Sequence, residues 1–530
     1  MDEREGQIDL GAQELAHAPL VATRVIPVEP PSLRDNTALA ERLARAVSRD
    51  LGLTQVHVPL SVAGGLSDLG FGANDRFQVA VSKGTDTGRI VSVAPPGDRA
   101  AGYGLAVDVG STTLVLALVD LERPCVIDRF SLTNPQMAHG ADILTRAHFA
   151  ERPGGLETLT RELREAINRG LAVICERQAL EPGQLVAGAV AGNTAMTHFL
   201  LGLSLRTLIR EPYIPVVNRP EGLTAGRLGL NLAPEAPVLV MPNKGAYLGG
   251  DLMAGVVVSG MARSDGLGLL VDVGTNAEVV LGQRDWLVGA AGAAGPALEG
   301  GVVRMGMIAG PGAIDRVRID RETKTIKYRT IEDRPPKGIC GSGLIDLFAE
   351  MFLSGLLDFQ GKLTIPPGHP RRLETDDGPA FIVVTGAETE NGEPILLSEI
   401  EVDLLTRSKA GMYTIISTVV QSVGLTVDQI DRFFVAGTFG QYIDPRMAVA
   451  VGMVPDLPLD RFVSLGNSSL QGAILTLISS DARSEVSEIW QKMTYLEMNV
   501  NQDLMNRFSA ARFLPHTNRN RFPSVGTTIA

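Results

Sequence analysis

Residues 105–113, Leu-Ala-Val-Asp-Val-Gly-Ser-Thr-Thr, return as residues 269–277, Leu-Leu-Val-Asp-Val-Gly-Thr-Asn-Ala. An offset of 164 residues carries Asp108 onto Asp272, Gly110 onto Gly274 and Ser111 onto Thr275. Each copy is an apolar run, a carboxylate, a glycine and small hydroxyl or amide residues, and a second apolar run follows. This pattern predicts strand, tight turn, strand. Gly110 and Gly274 are expected to supply the positive φ of such a turn and to let a ligand come close. A turn of this kind directs backbone N–H groups and hydroxyls at one spot, which suits phosphate oxygens. An aspartate just before it can hold Mg²⁺.

Composition narrows the class. Of 530 residues, 45% are hydrophobic and 20% charged, as in ordinary globular proteins, and 58 glycines imply many turns. A net charge of −12 argues against broad binding to nucleic acid or to an anionic membrane. No run of roughly 18 apolar residues would cross a bilayer, and Met1–Leu10 carries acids where a signal peptide needs an apolar core. Cys125, Cys175 and Cys340 lie far apart, so neither a disulfide framework nor a local cluster motif is expected. A reduced, cytoplasmic setting fits this usage.

The length suggests several domains. Residues 1–30 lack periodicity and end in prolines, which reads as an arm or linker. Residues 31–98 read as a small α+β module: a helix after Asp35-Asn36, then strands at Gln78–Val81 and Arg89–Val93. Pro95-Pro96-Gly97 closes it. Residues 99–262, opened by the first repeat, and 263–530, opened by the second, read as duplicated α/β domains. Long helices are expected over Leu156–Arg177 and Ser398–Val423, and a shorter one over Gly472–Ser479. Two such halves would face each other across a nucleotide cleft.

Candidate residues follow from this reading. Asp108 and Asp272 are the Mg²⁺-side carboxylates. Ser111, Thr112, Thr113, Thr275 and Asn276 are the phosphate ligands. Asp251, at a helix start, and Glu278, just past the second turn, are candidates to orient an attacking water, although an aspartate there can also cap the helix. The Gly-rich turns with Gly437, Thr438 and Gly440, and with Gly466 and Asn467, would lie around base and ribose. Arg407 and Lys409 could reach ribose or phosphate, or form a charged helix face. Cys340 reads as a small buried thiol.

In this order the motifs resemble the superfamily of acetate and sugar kinases, heat-shock chaperones and actin, with its duplicated actin-like (ribonuclease H-like) domains. Asp108–Thr113 looks like the first phosphate motif, Asp272–Ala277 the second, and Val435–Gly440 the adenosine motif. From about residue 25 onward the chain is more closely similar to reductive activators of corrinoid-dependent proteins. The residues carrying that likeness are Asn134–Gln136 with Gly140–Asp142, Ala191–Met196, Gly249–Asp251, Gly295–Gly300, Gly338–Gly343, Gly437–Tyr442 and Phe513–His516.

The resemblance implies an ATPase that uses ATP and Mg²⁺ to drive reduction of cob(II)amide to cob(I)amide in a partner corrinoid protein or corrinoid methyltransferase. Family members resemble homodimers, and many carry an N-terminal ferredoxin-type domain. No cysteine precedes Cys125 here, so no iron–sulfur cluster is expected in this chain. Electrons are then expected from a separate donor such as a ferredoxin, flavodoxin or reductase. A small-molecule kinase and a non-redox ATP-binding scaffold remain alternatives on the same scaffold.

Overall fold

The computed structural model describes residues 6–7, 15–69, 76–95, 102–274, 277–292, 303–376, 378–437, 443–498 and 503–526. The chain divides into two compact units, residues 1–258 with 468–491, and residues 259–467 with 492–530.

Unit 1 is built on a mixed sheet whose centre is almost wholly apolar. Strands β1 (Gly6–Gln7), β2 (Val21–Pro27), β3 (Gln55–His57), β4 (Arg76–Lys83), β5 (Thr87–Ala94), β6 (Tyr103–Val109), β7 (Thr113–Asp120), β8 (Cys125–Thr133), β9 (Leu185–Gly192) and β10 (Val238–Val240) belong to it. Six of them form one sheet in the order β1-β8-β7-β6-β9-β10. Pairing is antiparallel from β6 to β8 and parallel from β6 through β9 to β10. Every residue of β9 is buried, as a parallel strand covered on both faces requires. Helix Gly155–Gln178 packs on β7 and β8, and helix Ser468–Ile478 packs on β6, β7 and β9.

Unit 2 repeats the plan. Its strands are β11 (Gly268–Val273), β12 (Ala277–Gln283), β13 (Trp286–Gly292), β14 (Ala313–Ile319), β15 (Ile326–Thr330), β16 (Gly338–Ile339), β17 (Arg372–Thr375), β18 (Gly378–Val384), β19 (Ile395–Ser398), β20 (Arg432–Ala436), β21 (Phe462–Gly466) and β22 (Met493–Tyr495). The main sheet runs β21-β20-β11-β12-β13-β22. Again the first three strands are an antiparallel meander, and two parallel strands flank the first. The sequence repeat is therefore a repeat of topology, and both units have the α/β, actin-like plan. Helix Glu399–Ser422 covers β12 and β13. It opens with a capping box in which Ser398 and Glu401 satisfy each other's backbone N–H.

Three boundaries differ from those read in the sequence. Val21–Pro27 is no linker but an edge strand paired along its length with β4, because Val21 and Ile26 have a core to enter. The helix after Asp35 begins at Leu39 without a side-chain cap; Asp35 accepts from Thr37 and Arg42 instead. Residues 468–491 join unit 1 rather than the second half, and their helix starts at Ser468, four residues before Gly472. Gly472 lies so tightly on Ala254 that a Cβ would come within 2.5 Å, and Leu477 fills the space above Gly104. Among the described residues no helix is long and apolar enough to cross a membrane.

The last segment of unit 2 is fastened by one buried cation. The Lys409 ammonium is fully buried on helix Glu399–Ser422 and donates to the carbonyl oxygens of Phe513 and Pro515, at 2.5 and 2.7 Å. His516 follows, its ring against Tyr413 and its Nδ1 accepting from the Asn518 N–H. Burial first, then the charges of Arg521 and Lys409, pushes His516 down from 6.5 to about 4. A depressed histidine contributes stability that is complete above the unfolded value and lost as pH falls through the folded one. Unfolding by urea should therefore need less denaturant at pH 5 than at pH 7.5, and His516→Gln should flatten that difference.

Candidate functional site

In unit 1 the sheet brings four motif segments to one end. Asp108 is the penultimate residue of β6, level with Ala191 on β9 and Val115 on β7. Its half-buried carboxylate accepts from the Ser469 hydroxyl at 2.9 Å, on the first turn of helix Ser468–Ile478. Val109 is level with Gly192, and a Cβ on Gly192 would lie 2.8 Å from the Val109 carbonyl. The next residue, Asn193, caps helix Thr194–Leu201 by accepting from the Met196 N–H. Gly249 presses on Asn193 and on the Asp251 carboxylate, leaving 2.5 and 2.4 Å for a Cβ. Asp251 is the second residue of helix Gly250–Ser259, so its carboxylate sits at that helix's positive end, where Oδ1 accepts from the Leu252 N–H. Ligand sites in open α/β sheets form at the carboxyl ends of parallel strands, and this is such an end.

The turn after Asp108 is tied down from its carbonyl side. Asn134, fully buried, donates from Nδ2 to the Gly110 carbonyl at 2.9 Å and from its backbone N–H to the Thr112 carbonyl at 2.8 Å. The Gly110 N–H closes the turn on the Thr113 carbonyl at 3.1 Å. Gly110 does not adopt the positive φ expected of it. It is required for space, since a Cβ would meet the Thr113 carbonyl at 2.5 Å. Ser111 and Thr112 are half-buried and Thr113 is exposed.

In unit 2 Asp272 and Glu278 stand directly opposite each other across β11 and β12. Both are half-buried. Two acids in that relation repel, so the pairing favours a cation. At the corresponding place unit 1 has Asp108 opposite Val115. Gly437, at φ +81°, follows β20 and lies beside the Asp272 carboxylate; a Cβ there would be 2.9 Å from its Oδ1. Gly466 ends β21 level with Ala436 at φ +60°, and Asn467 follows it. Asp272, Gly274, Glu278, Gly437, Gly466 and Asn467 thus gather at one end of this sheet. Thr275, Asn276, Thr438, Gly440 and the stretch 295–300 lie outside the described residues. Among the described residues no three His, Cys, Asp or Glu side chains form a metal-binding group.

Lys409 is a correction. Its amine is fully buried and spends its hydrogen bonds on two backbone carbonyls, and desolvation drives its basicity well below the usual lysine range. Arg407, one face away, pairs with Asp403 at 2.7 Å as a solvated helix pair. Cys340 is buried, as its setting implied, and its Sγ donates to the Ile314 carbonyl. A cavity of about 170 Å³ in unit 2 is walled by apolar side chains such as Val271, Phe433 and Met453. Of the predicted motifs it touches only Val435, the first residue of the Val435–Gly440 stretch. Sequence reasoning missed Ser469, and it missed the anchoring work of Asn134. The Asn-Pro-Gln motif was the visible signal for the second.

The chain matches three consecutive family descriptions: the RACo linker region over residues 11–101, the RACo middle region over 103–264, and the C-terminal domain of RACo, the ASKHA domain, over 266–526. A solved structure described as a reductive activator for corrinoid, iron–sulfur protein is 36% identical. It superposes with a TM-score of 0.87, covering 96% of this chain and 81% of that one. Corrinoid activation enzyme RamQ of Eubacterium limosum is 29% identical over 433 residues, 80% of this chain and 72% of the relative. A reductase of a Co(II) methylated amine-specific corrinoid protein from Methanosarcina barkeri is 24% identical, over 74% of this chain and 73% of the relative.

The contact of Gly249 with Asn193 gives a test of the unit 1 site. Gly249→Ala should cost about 1–3 kcal/mol, because the backbone of a packed helix cap must move. Gly183→Ala, whose Cβ meets nothing within 4 Å, should stay within about 0.5 kcal/mol of the parent. Denaturant midpoints of the two variants read the difference.

Proposed function

Because the chain belongs to the RACo family of reductive activators, we propose that it couples ATP hydrolysis to reduction of a partner's cob(II)amide to cob(I)amide. One electron enters the cobalt in that step, and a separate reductase, ferredoxin or flavodoxin supplies it. ATP and water leave as ADP and phosphate. The observation that carries the reading is the unbroken run of family matches from residue 11 to residue 526.

The residues present suit a magnesium nucleotide. Magnesium is held by one or two carboxylates together with waters and substrate phosphates, and the opposed pair Asp272 and Glu278 offers that set. Its chemistry when bound is to neutralise charge on the transferring phosphoryl group. Asp108, braced by Ser469, is the corresponding carboxylate of unit 1. Ser111, Thr112 and Thr113 bind phosphate oxygens through N–H and hydroxyl groups, as Thr275 and Asn276 do in the second turn. Gly437, Gly466 and Asn467, with Thr438 and Gly440, border the nucleoside. Asp251 orients the attacking water from the end of helix Gly250–Ser259, with Glu278 as the other candidate for that task.

The test is spectroscopic. A corrinoid protein poised as Co(II) is mixed with this chain, a low-potential reductant and MgATP, and the Co(I) absorbance is followed. Co(I) should form in the complete mixture and not when ATP is omitted. ATP turnover should rise with the corrinoid protein and be indifferent to sugars, acetate and other small acceptors, which a kinase would require. Asp272→Asn should keep the fold and lower turnover by about 10²–10³-fold, the scale of losing one electrostatic contact to the transition state.

A further inference from the structure

Among the described residues Arg146 is the largest fully buried side chain, and neither the phosphate contacts nor the chemistry proposed above uses it. It lies on helix Ile143–Ala150, whose N-cap Asp142 accepts from Thr145. Its guanidinium donates to three backbone carbonyls, Gly140 from Nε at 2.8 Å, Ser111 at 2.6 Å and Ala141 at 3.4 Å, and more weakly to the Met196 Sδ at 4.0 Å. A buried arginine is ordinarily held against a carboxylate. Here Asp142 acts on it only through its charge, and desolvation lowers the arginine's basicity.

The contact with Ser111 sits in a row. Asn134 Nδ2 holds the Gly110 carbonyl, Arg146 the Ser111 carbonyl and the Asn134 N–H the Thr112 carbonyl. In a trans peptide the N–H points opposite to the C=O of the same unit. Fixing three successive carbonyls from one side therefore fixes the Ser111, Thr112 and Thr113 N–H groups on the other side. The middle anchor is also a cation. Its positive charge lies one peptide unit behind the N–H groups, in a low-dielectric setting that screens it little.

We propose that Arg146 is a positioning residue for the phosphate-binding turn, orienting the Thr112 N–H through the Ser111 carbonyl and adding a buried positive charge behind the bound polyphosphate. The proposal rests on the reading of this turn as a nucleotide phosphate site. It separates Arg146 from a core arginine that merely holds the fold, since only phosphate binding should follow its charge and planar fork.

The experiment measures dissociation constants of the full chain for MgATP and for adenosine by calorimetry, in the parent, Arg146→Met, Arg146→Lys and Asn134→Ala. Circular dichroism and a thermal melt check folding. Arg146→Met should bind MgATP about 10–100-fold more weakly and adenosine within about twofold of the parent, and Arg146→Lys should fall between. Asn134→Ala, which removes a neighbouring anchor and leaves the cation, should show a smaller loss of the same kind. If Arg146→Met does not fold, Arg146→Lys and Asn134→Ala carry the same comparison. MgATP affinity unchanged in folded variants overturns the proposal alone, as does an equal loss for ATP and adenosine. A parent chain that binds no MgATP overturns the nucleotide reading and this proposal with it.

Discussion

A peptide group cannot turn its carbonyl one way and its N–H the same way. In the turn at Gly110–Thr113 this elementary constraint organises the unit 1 site. Asn134 and Arg146 take three successive carbonyls from the body of the unit, and the Gly110 N–H takes the fourth. What remains for a ligand is a row of N–H groups and three hydroxyls. Such a row has to be held rigid to bind an anion well, because orienting dipoles at the moment of binding forfeits their benefit. The anchors are themselves placed by helix Gly155–Gln178 and by the segment between β8 and that helix, where the Gln136 side chain donates to the Leu159 carbonyl. The Gly110–Thr113 turn is thus a short surface feature held by buried groups of unit 1.

Much of the fold was legible in the sequence because the signals were local. Paired apolar runs and a shared polar register identified both hairpins. The long helices expected over Leu156–Arg177 and Ser398–Val423 form over Gly155–Gln178 and Glu399–Ser422, within a residue at each end. The misread elements depend on distant partners. Val21–Pro27 becomes a strand only because β4 and the helix Leu39–Leu51 offer it a face. Residues 468–491 join unit 1 through Ala254 and Leu477 contacts that no local pattern announces.

The candidate site was legible as residue types and illegible as roles. Asp108 and Asp272 are each the penultimate residue of the strand that opens their unit's hairpin. Lys409 read as a cation that could reach ribose or phosphate or sit on a charged helix face, yet its amine serves the carbonyls of Phe513 and Pro515. The motifs that carried the family likeness divide in the same way. Gly343 exists so that helix Gly341–Leu353 can sit against the Ile314 carbonyl, where a Cβ would come within 2.2 Å. Phe513–His516 exists to meet Lys409 and Tyr413. Such motifs report how a scaffold is fastened, and sequence alone cannot separate a fastener from a ligand.

The most direct measurement is a crystal structure of the full chain with Mg²⁺ and a non-hydrolysable ATP analogue. The account requires phosphate oxygens within hydrogen-bond reach of the Ser111–Thr113 N–H groups, with the Asn134 and Arg146 contacts to the turn intact. A nucleotide bound elsewhere, with those N–H groups facing only water, would contradict it.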